Sequence, residues 1–177
     1  MSSASTSTTA LDVTTSSQTD NTLLRHDAQG ITTLSLNQAD QFNVLSMQML
    51  DLLIRELESI KQDPSVRVLI IQAEGKAFCS GHNLKQMRQN PEHQYQLELF
   101  TRCGQFMQAL LALPQPVIAK VHGIATAAGC QLVAMCDLAI ASEHAKFAVS
   151  GINVGLFCST PAVALSRNVG RKKAFEM

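Results

Sequence analysis

The sequence has no surplus of either charge: 14 lysines and arginines meet 14 aspartates and glutamates in 177 residues. That balance excludes a general nucleic-acid or polyanion binder, whose affinity rests on a basic excess. A local basic patch for one phosphorylated ligand stays open. Long apolar runs are missing too, since none approaches the roughly 20 residues that a membrane-spanning helix needs. Cysteine is sparse and unpatterned. Cys79, Cys103, Cys130, Cys136 and Cys158 are odd in number, and no two form a C-x-x-C pair. Free thiols in a reducing compartment are expected, and no metal site. The Ser/Thr-rich opening, residues 1–21, lacks both a basic residue and an apolar core. It therefore reads as a disordered leader, with no clear targeting peptide.

What remains suits one globular domain over 22–177, with 46% hydrophobic and 16% charged residues in the whole chain. Leu23 to His26 and Ile31 to Leu36 read as strands joined by a turn, Asp27-Ala28-Gln29-Gly30. Ser46 is an N-cap candidate for a helix reaching about Gln62, with Met49, Leu50, Leu53, Ile54, Leu57 and Ile60 on one face and Asp63-Pro64 as its stop. A strand over Val66 to Gln72 follows. Pro91 opens a second long helix whose apolar stripe is Leu97, Phe100, Cys103, Met107, Leu110 and Leu111, assigned to the core. Val117 to Val121 is a further buried strand, Gln131 to Met135 is helix, and Asp137 to Ser142 and Lys146 to Val149 are strands. Thr160-Pro161 reads as the N-cap and first residue of another helix, and Arg171 to Met177 as a last one. Alternating strands and helices predict an α/β layered fold built of β-β-α units.

Two stretches stand out because each joins a buried strand to a helix through small residues. The first is Gly75 to Met87, containing Ala77, Ser80, Gly81 and His82. The second is His122 to Cys130, containing Ala127, Ala128 and Gly129. Small side chains let a ligand approach the main chain, and N–H groups at such turns can stabilise an oxyanion. If the two turns converge, each offers one backbone donor to a single point, the second with the help of a helix N-terminus.

These residues carry a resemblance to the enoyl-CoA hydratase/isomerase (crotonase) superfamily, running from about Leu23 to the end. Asn43-Val44-Leu45-Ser46 resembles the family's N-A-L-[NS], and Ala77 to Leu84 resembles A-F-x-[AS]-G-x-D-[LI]. Pro116 to Gly123 resembles the strand K-P-[VT]-I-A-A-V-x-G, Ala127-Ala128-Gly129-Cys130 stands on G-G-G-x, and Cys136 to Ala141 resembles C-D-[LI]-x-[IVY]-A. The resemblance implies a crotonase-like (ClpP/crotonase) fold and a CoA thioester as substrate. No permanent cofactor is implied, because coenzyme A enters as part of the substrate. It implies oxyanion donors at the backbone N–H of His82 and of Ala128, with Ala77, Ser80, Gly81, Lys85, Gly129 and Cys158 at the substrate. Lys85 and Lys76 are placed to reach a phosphate of coenzyme A. Family members continue past the equivalent of Met177 with helices that cover the acyl pocket and build a trimer. The C-terminal helical part is therefore expected to be missing, leaving apolar surface exposed. A role in fatty-acid metabolism is implied, in the cytoplasm of a bacterium or the mitochondrial matrix of a eukaryote.

The departures decide how far the chemistry carries over. Family hydratases use two glutamates. The first position is held here by Gln131 and the second by Gly151, so neither side chain exchanges a proton near neutral pH. Asn83 replaces the usual Asp, as a turn or cap residue. Cys158, Ser159 and Thr160 stand at the loop facing the acyl chain, where a thiol at a helix N-terminus can be activated. Against that, Ser159 or Thr160 can cap the helix while Cys158 packs. A Ser80/His122/Asp137 triad can be assembled on paper, but Asp137 matches a structural position. Two classes stay open: an enzyme acting on an enoyl- or acyl-CoA, and a CoA-thioester binder with little or no turnover.

Overall fold

The computed structural model describes residues 21–177; the leader expected over 1–21 lies almost wholly outside the described residues. The chain opens with a hairpin, β1 (Leu23–Ala28) and β2 (Ile31–Leu36). Its turn is two residues long, narrower than the four expected. Gln29 and Gly30 both have positive φ, the conformation that suits the twist of paired strands. Helix α1 (Met47–Gln62) starts where expected, with the Ser46 side chain accepting from the Met49 N–H, and it buries Met49, Leu50, Leu53, Leu57 and Ile60.

From there the chain repeats one unit. Strand β3 (Val68–Ala73) enters the main sheet, β4 (Ala77–Cys79) starts a second sheet, and helices α2 (Leu84–Gln89) and α3 (His93–Leu111) follow. Strand β5 (Val117–Val121), strand β6 (Ile124–Thr126) and helix α4 (Ala128–Met135) repeat the pattern. Strand β7 (Leu138–Ala141), strand β8 (Lys146–Ala148) and helix α5 (Ser159–Asn168) repeat it again, and α6 (Arg171–Glu176) ends the chain. The main sheet runs β1-β2-β3-β5-β7, antiparallel only at β1, and the small one runs β4-β6-β8, all parallel. Each unit thus delivers its second strand, and the turn after it, to the same side of the molecule.

Residues of β2, β3 and β5, including Leu34, Leu36, Leu69, Ile71, Val117 and Ala119, form the core with α1 and α3. The buried stripe of α3 is Leu99, Cys103, Phe106, Met107 and Leu110. It is rotated from the one read in the sequence: Leu97 and Leu111 are exposed, and Phe100 turns toward a cavity. At the far edge of the main sheet, Leu138 and Ile140 are 60% and 65% exposed, and Phe157 and Phe175 also face outward, in line with the expected apolar surface.

Candidate functional site

The first turn is held by Asn43, a residue the sequence reading used only as part of a motif. Asn43 is fully buried with a φ of 54°, a left-handed conformation that Asn tolerates better than most residues. Its Oδ1 accepts from the Gln38 N–H at 2.8 Å, and its Nδ2 donates to the carbonyls of Glu74 and Ala77, each at 2.8 Å. One side chain therefore fixes both ends of the 74–77 turn against the loop before α1. Asn43→Ala is expected to lower the unfolding free energy by about 2–3 kcal/mol in urea titrations, because it leaves buried main-chain groups unpaired.

Beyond β4 the chain is pinned on both sides of His82. The Ser80 N–H donates to the Phe42 carbonyl at 3.1 Å, the Gly81 carbonyl accepts from Leu45 at 2.8 Å, and Asn83 caps α2 by accepting from the Gln86 N–H at 3.0 Å. Asn83 thus performs the cap role expected of it. Among the described residues, the His82 N–H donates to no protein group.

The second turn is similar. The Ala127 N–H donates to the Ala148 carbonyl at 3.0 Å, Ala127 takes φ 52° and ψ −123°, and α4 begins at once with Ala128. The helix therefore starts three residues before the Gln131 expected from the sequence. A positive φ at a residue with a Cβ is strain, and such strain gathers at turns with a job to do. As the first residue of the helix, Ala128 has an N–H without an intrahelical partner, and it finds no other among the described residues.

The two turns converge. A Cβ on Gly81 would stand 3.0 Å from the Ala127 Cβ and 3.2 Å from the Ala128 nitrogen. A Cβ on Gly129 would fall 2.1 Å from the Cys79 carbonyl oxygen. At Gly129 main chain packs directly on main chain, and Gly81, with φ 90°, packs against the Ala127 methyl and the Thr126 and Ala128 backbone, so both positions favour glycine.

Over this junction lies a cavity of about 640 Å³. Of the candidate site residues named from the sequence, Ser80, His82, Ala128, Gly151 and Cys158 line it. Ala77, Gly81, Gly129 and Lys85 do not. Ala77 and the two glycines hold the turns together behind the wall, and Lys85 is exposed on α2. Phe100 corrects its assignment to the core: it lines the cavity and meets the His82 ring edge-on, centroids 5.0 Å apart. Leu84, Met87, Val154, Leu156 and Phe157 add further apolar wall. They were missed because α2 is short and the 150–157 segment has no periodic pattern.

Among the described residues, no Asp, Glu, Lys or Arg lines this cavity. Gln131 sits just behind it, 4% exposed, its Oε1 accepting from the Thr160 hydroxyl at 3.1 Å. Thr160 is thus not a helix cap. The cap position of α5 is Cys158, and no side chain bonds there. Gly151 is buried, and a Cβ on it would fall 2.4 Å from the Leu156 carbonyl oxygen and 2.5 Å from the Cys158 Sγ. The paper triad does not assemble: His122 Nε2 pairs with the Gly75 carbonyl at 2.8 Å and Asp137 accepts from the Val117 N–H at 2.8 Å. Burial pushes the thiols of Cys79, Cys103 and Cys136 up to about 12 and that of Cys130 to about 11, so none of these four is a thiolate at neutral pH.

Burial also holds the His82 imidazole below its usual 6.5, against a smaller opposing pull from the Leu45 carbonyl 3.4 Å from Nδ1. The folded protein then binds fewer protons at this site than the unfolded chain does. The stabilising contribution is whole above pH 6.5 and is lost as pH falls below it toward the lowered folded value. His82→Gln is expected to flatten the decline in urea midpoint between pH 7.5 and 5.5. An unchanged slope would show that other groups control it.

Residues 26–177 match the family described as enoyl-CoA hydratase/isomerase. The chain is 51% identical over 148 residues to "Enoyl-CoA hydratase domain-containing protein 3, mitochondrial" of Xenopus laevis, a match covering 84% of this chain and 50% of that protein. Its identity to the Homo sapiens protein of that name is 47%, covering 84% and 49%. The crystal structure of an enoyl-CoA hydratase from Mycobacterium smegmatis superposes with a TM-score of 0.86 at 60% identity, over 88% of this chain and 61% of that one. The human domain-containing protein 3 superposes at 0.85 with 45% identity, over 88% and 62%. The chain spans about half the length of the curated relatives it matches.

Proposed function

The chain belongs to the enoyl-CoA hydratase/isomerase family, with a crotonase fold, and on that premise we propose that its cavity holds an acyl-CoA thioester by the carbonyl. The N–H groups of His82 and Ala128 are the two donors, and the acyl chain runs along the apolar wall of Leu84, Met87, Phe100 and Val154. The observation that carries this reading is the convergence of the turns: Gly81 packs against Ala127 and Ala128, while the His82 and Ala128 N–H groups find no acceptor among the described residues. Coenzyme A is part of the ligand, and no resident cofactor is invoked.

Donors fixed by the backbone need no reorganisation when charge develops on the thioester oxygen, so they bind an enolate-like oxygen better than a ground-state carbonyl. The test compares butyryl-CoA with butyl-CoA, the thioether that keeps the chain and loses the carbonyl. Calorimetry is expected to show the thioester bound about tenfold tighter, the equivalent of one good hydrogen bond. Equal affinities would sink the clamp.

A second reading, a binder with little turnover, is favoured by a cavity wall to which no described residue contributes a carboxylate. The curated relatives carry "mitochondrial" in their names. A mitochondrial site, a role in fatty-acid metabolism and a trimeric assembly are proposed for the protein in a eukaryote on the same footing.

A further inference from the structure

Of the five cysteines, Cys158 alone lines the cavity over the two turns, and its thiol is free and partly exposed there. It holds the cap position of α5, yet its Sγ makes no cap bond and, among the described residues, no other hydrogen bond. Gly151 defines its place: a Cβ on that glycine would stand 2.5 Å from the sulfur. The thiol therefore fills the space that a carboxylate on residue 151 would need. Two hydroxyls of the same wall are engaged, Ser150 with Thr126 at 2.7 Å and Thr160 with Gln131 at 3.1 Å, and a thiol is the stronger nucleophile near neutral pH. A second group at this wall lacks a partner. Gln131 is 4% exposed and its Oε1 accepts from Thr160, while its Nε2 donates to no group among the described residues. A buried amide donor without an acceptor is a place for a polar atom of a ligand.

Resting on the reading of the cavity as a thioester clamp, we propose that Cys158 is a nucleophile that captures α,β-unsaturated thioesters. Its Sγ bonds to the β-carbon, and the electron pair of the carbon–carbon double bond moves through the carbonyl onto the thioester oxygen. The His82 and Ala128 N–H groups hold the enolate so formed. The thiol proton passes to solvent, and a proton returns to the α-carbon as the enolate collapses. One C–S and one C–H bond thus replace a π bond and an S–H bond, with no oxidant and no further reactant. The product is a thioether that keeps the whole CoA thioester attached. A saturated acyl chain has no acceptor carbon and is only held.

The alternative is that Cys158 merely packs at the start of α5. Intact-mass spectrometry after incubation with crotonyl-CoA separates the two. The wild-type chain is expected to gain the mass of one whole crotonyl-CoA, mapped to Cys158 in its peptides, and Cys158→Ser to gain none. Butyryl-CoA is expected to leave no adduct of its own and to slow the capture of crotonyl-CoA as it fills the cavity. A gain of the crotonyl group alone places the attack at the carbonyl and overturns the assignment. Adducts on the other four cysteines, or capture at an undiminished rate under saturating butyryl-CoA, overturn it as chemistry outside the cavity. No adduct on a wild-type chain that binds butyryl-CoA in calorimetry overturns it with the clamp intact. Binding of neither compound overturns the clamp itself.

Discussion

Gly129→Ala is expected to cost more than about 4 kcal/mol of stability and to abolish thioester binding, the largest effect of any single methyl added to this chain. The added Cβ would lie 2.1 Å from the Cys79 carbonyl oxygen and 2.7 Å from its carbon. Those atoms belong to β4, which is buried and paired with β6, so they cannot swing aside as the end of a side chain would. Relief requires α4 to move off the small sheet, and that carries Ala128 away from His82. Gly104 on α3 is the control, because a Cβ there meets nothing within 4 Å. Gly104→Ala is expected to be neutral or stabilising by up to about 1 kcal/mol, since alanine is the better helix former. Urea unfolding of the two variants is decisive. Matching midpoints would mean that the turns do not depend on main-chain contact.

The same contrast explains what was legible in the sequence. Helix α1 was readable because its apolar spacing, its Ser46 cap and its Asp63-Pro64 stop agree, so local and tertiary signals coincide. The two turns were readable because close packing demands small residues in a row, at Ser80-Gly81 and at Ala127-Ala128-Gly129. The third β-β-α unit was legible as separate elements and not as a repeat: β8, which pairs with β6, is three residues long, and β7 is an edge strand of the other sheet, exposed along its length. Phe100 was assigned to the core because helical periodicity gives the width of an apolar stripe and not its centre. The buried face falls on Leu99 and Cys103, which leaves Phe100 beside the cavity. Thr160 was read as a cap because Thr-Pro is a local signal, while its bond to Gln131 joins residues 29 apart in sequence. Only the tertiary structure places that pair.

Turnover is expected to follow from the two missing carboxylates. Hydration of crotonyl-CoA should run about 10²- to 10⁴-fold below that of a family member with both glutamates, the usual worth of general acid–base catalysis. The two positions do not respond alike to repair. Gln131→Glu preserves the side-chain length and the Thr160 contact, and it places an ionisable group just behind the cavity wall. Its burial raises the carboxyl toward the range useful to a proton carrier. A gain of about 10²-fold in hydration is expected, read as loss of the conjugated thioester absorbance. Gly151→Glu is expected to give no gain and to destabilise the chain, because its Cβ would collide with the Leu156 carbonyl oxygen at 2.4 Å and with Cys158 Sγ at 2.5 Å. Truncating Cys158 to alanine removes the second collision and leaves the first, which is main chain, so Gly151→Glu with Cys158→Ala should recover only part of the stability. The 156–158 segment thus occupies the space that a side chain at position 151 would need. Wild-type turnover at the ordinary family rate would overturn the binder reading. A Gln131→Glu variant that binds thioesters and stays inert would show that the second acid is indispensable.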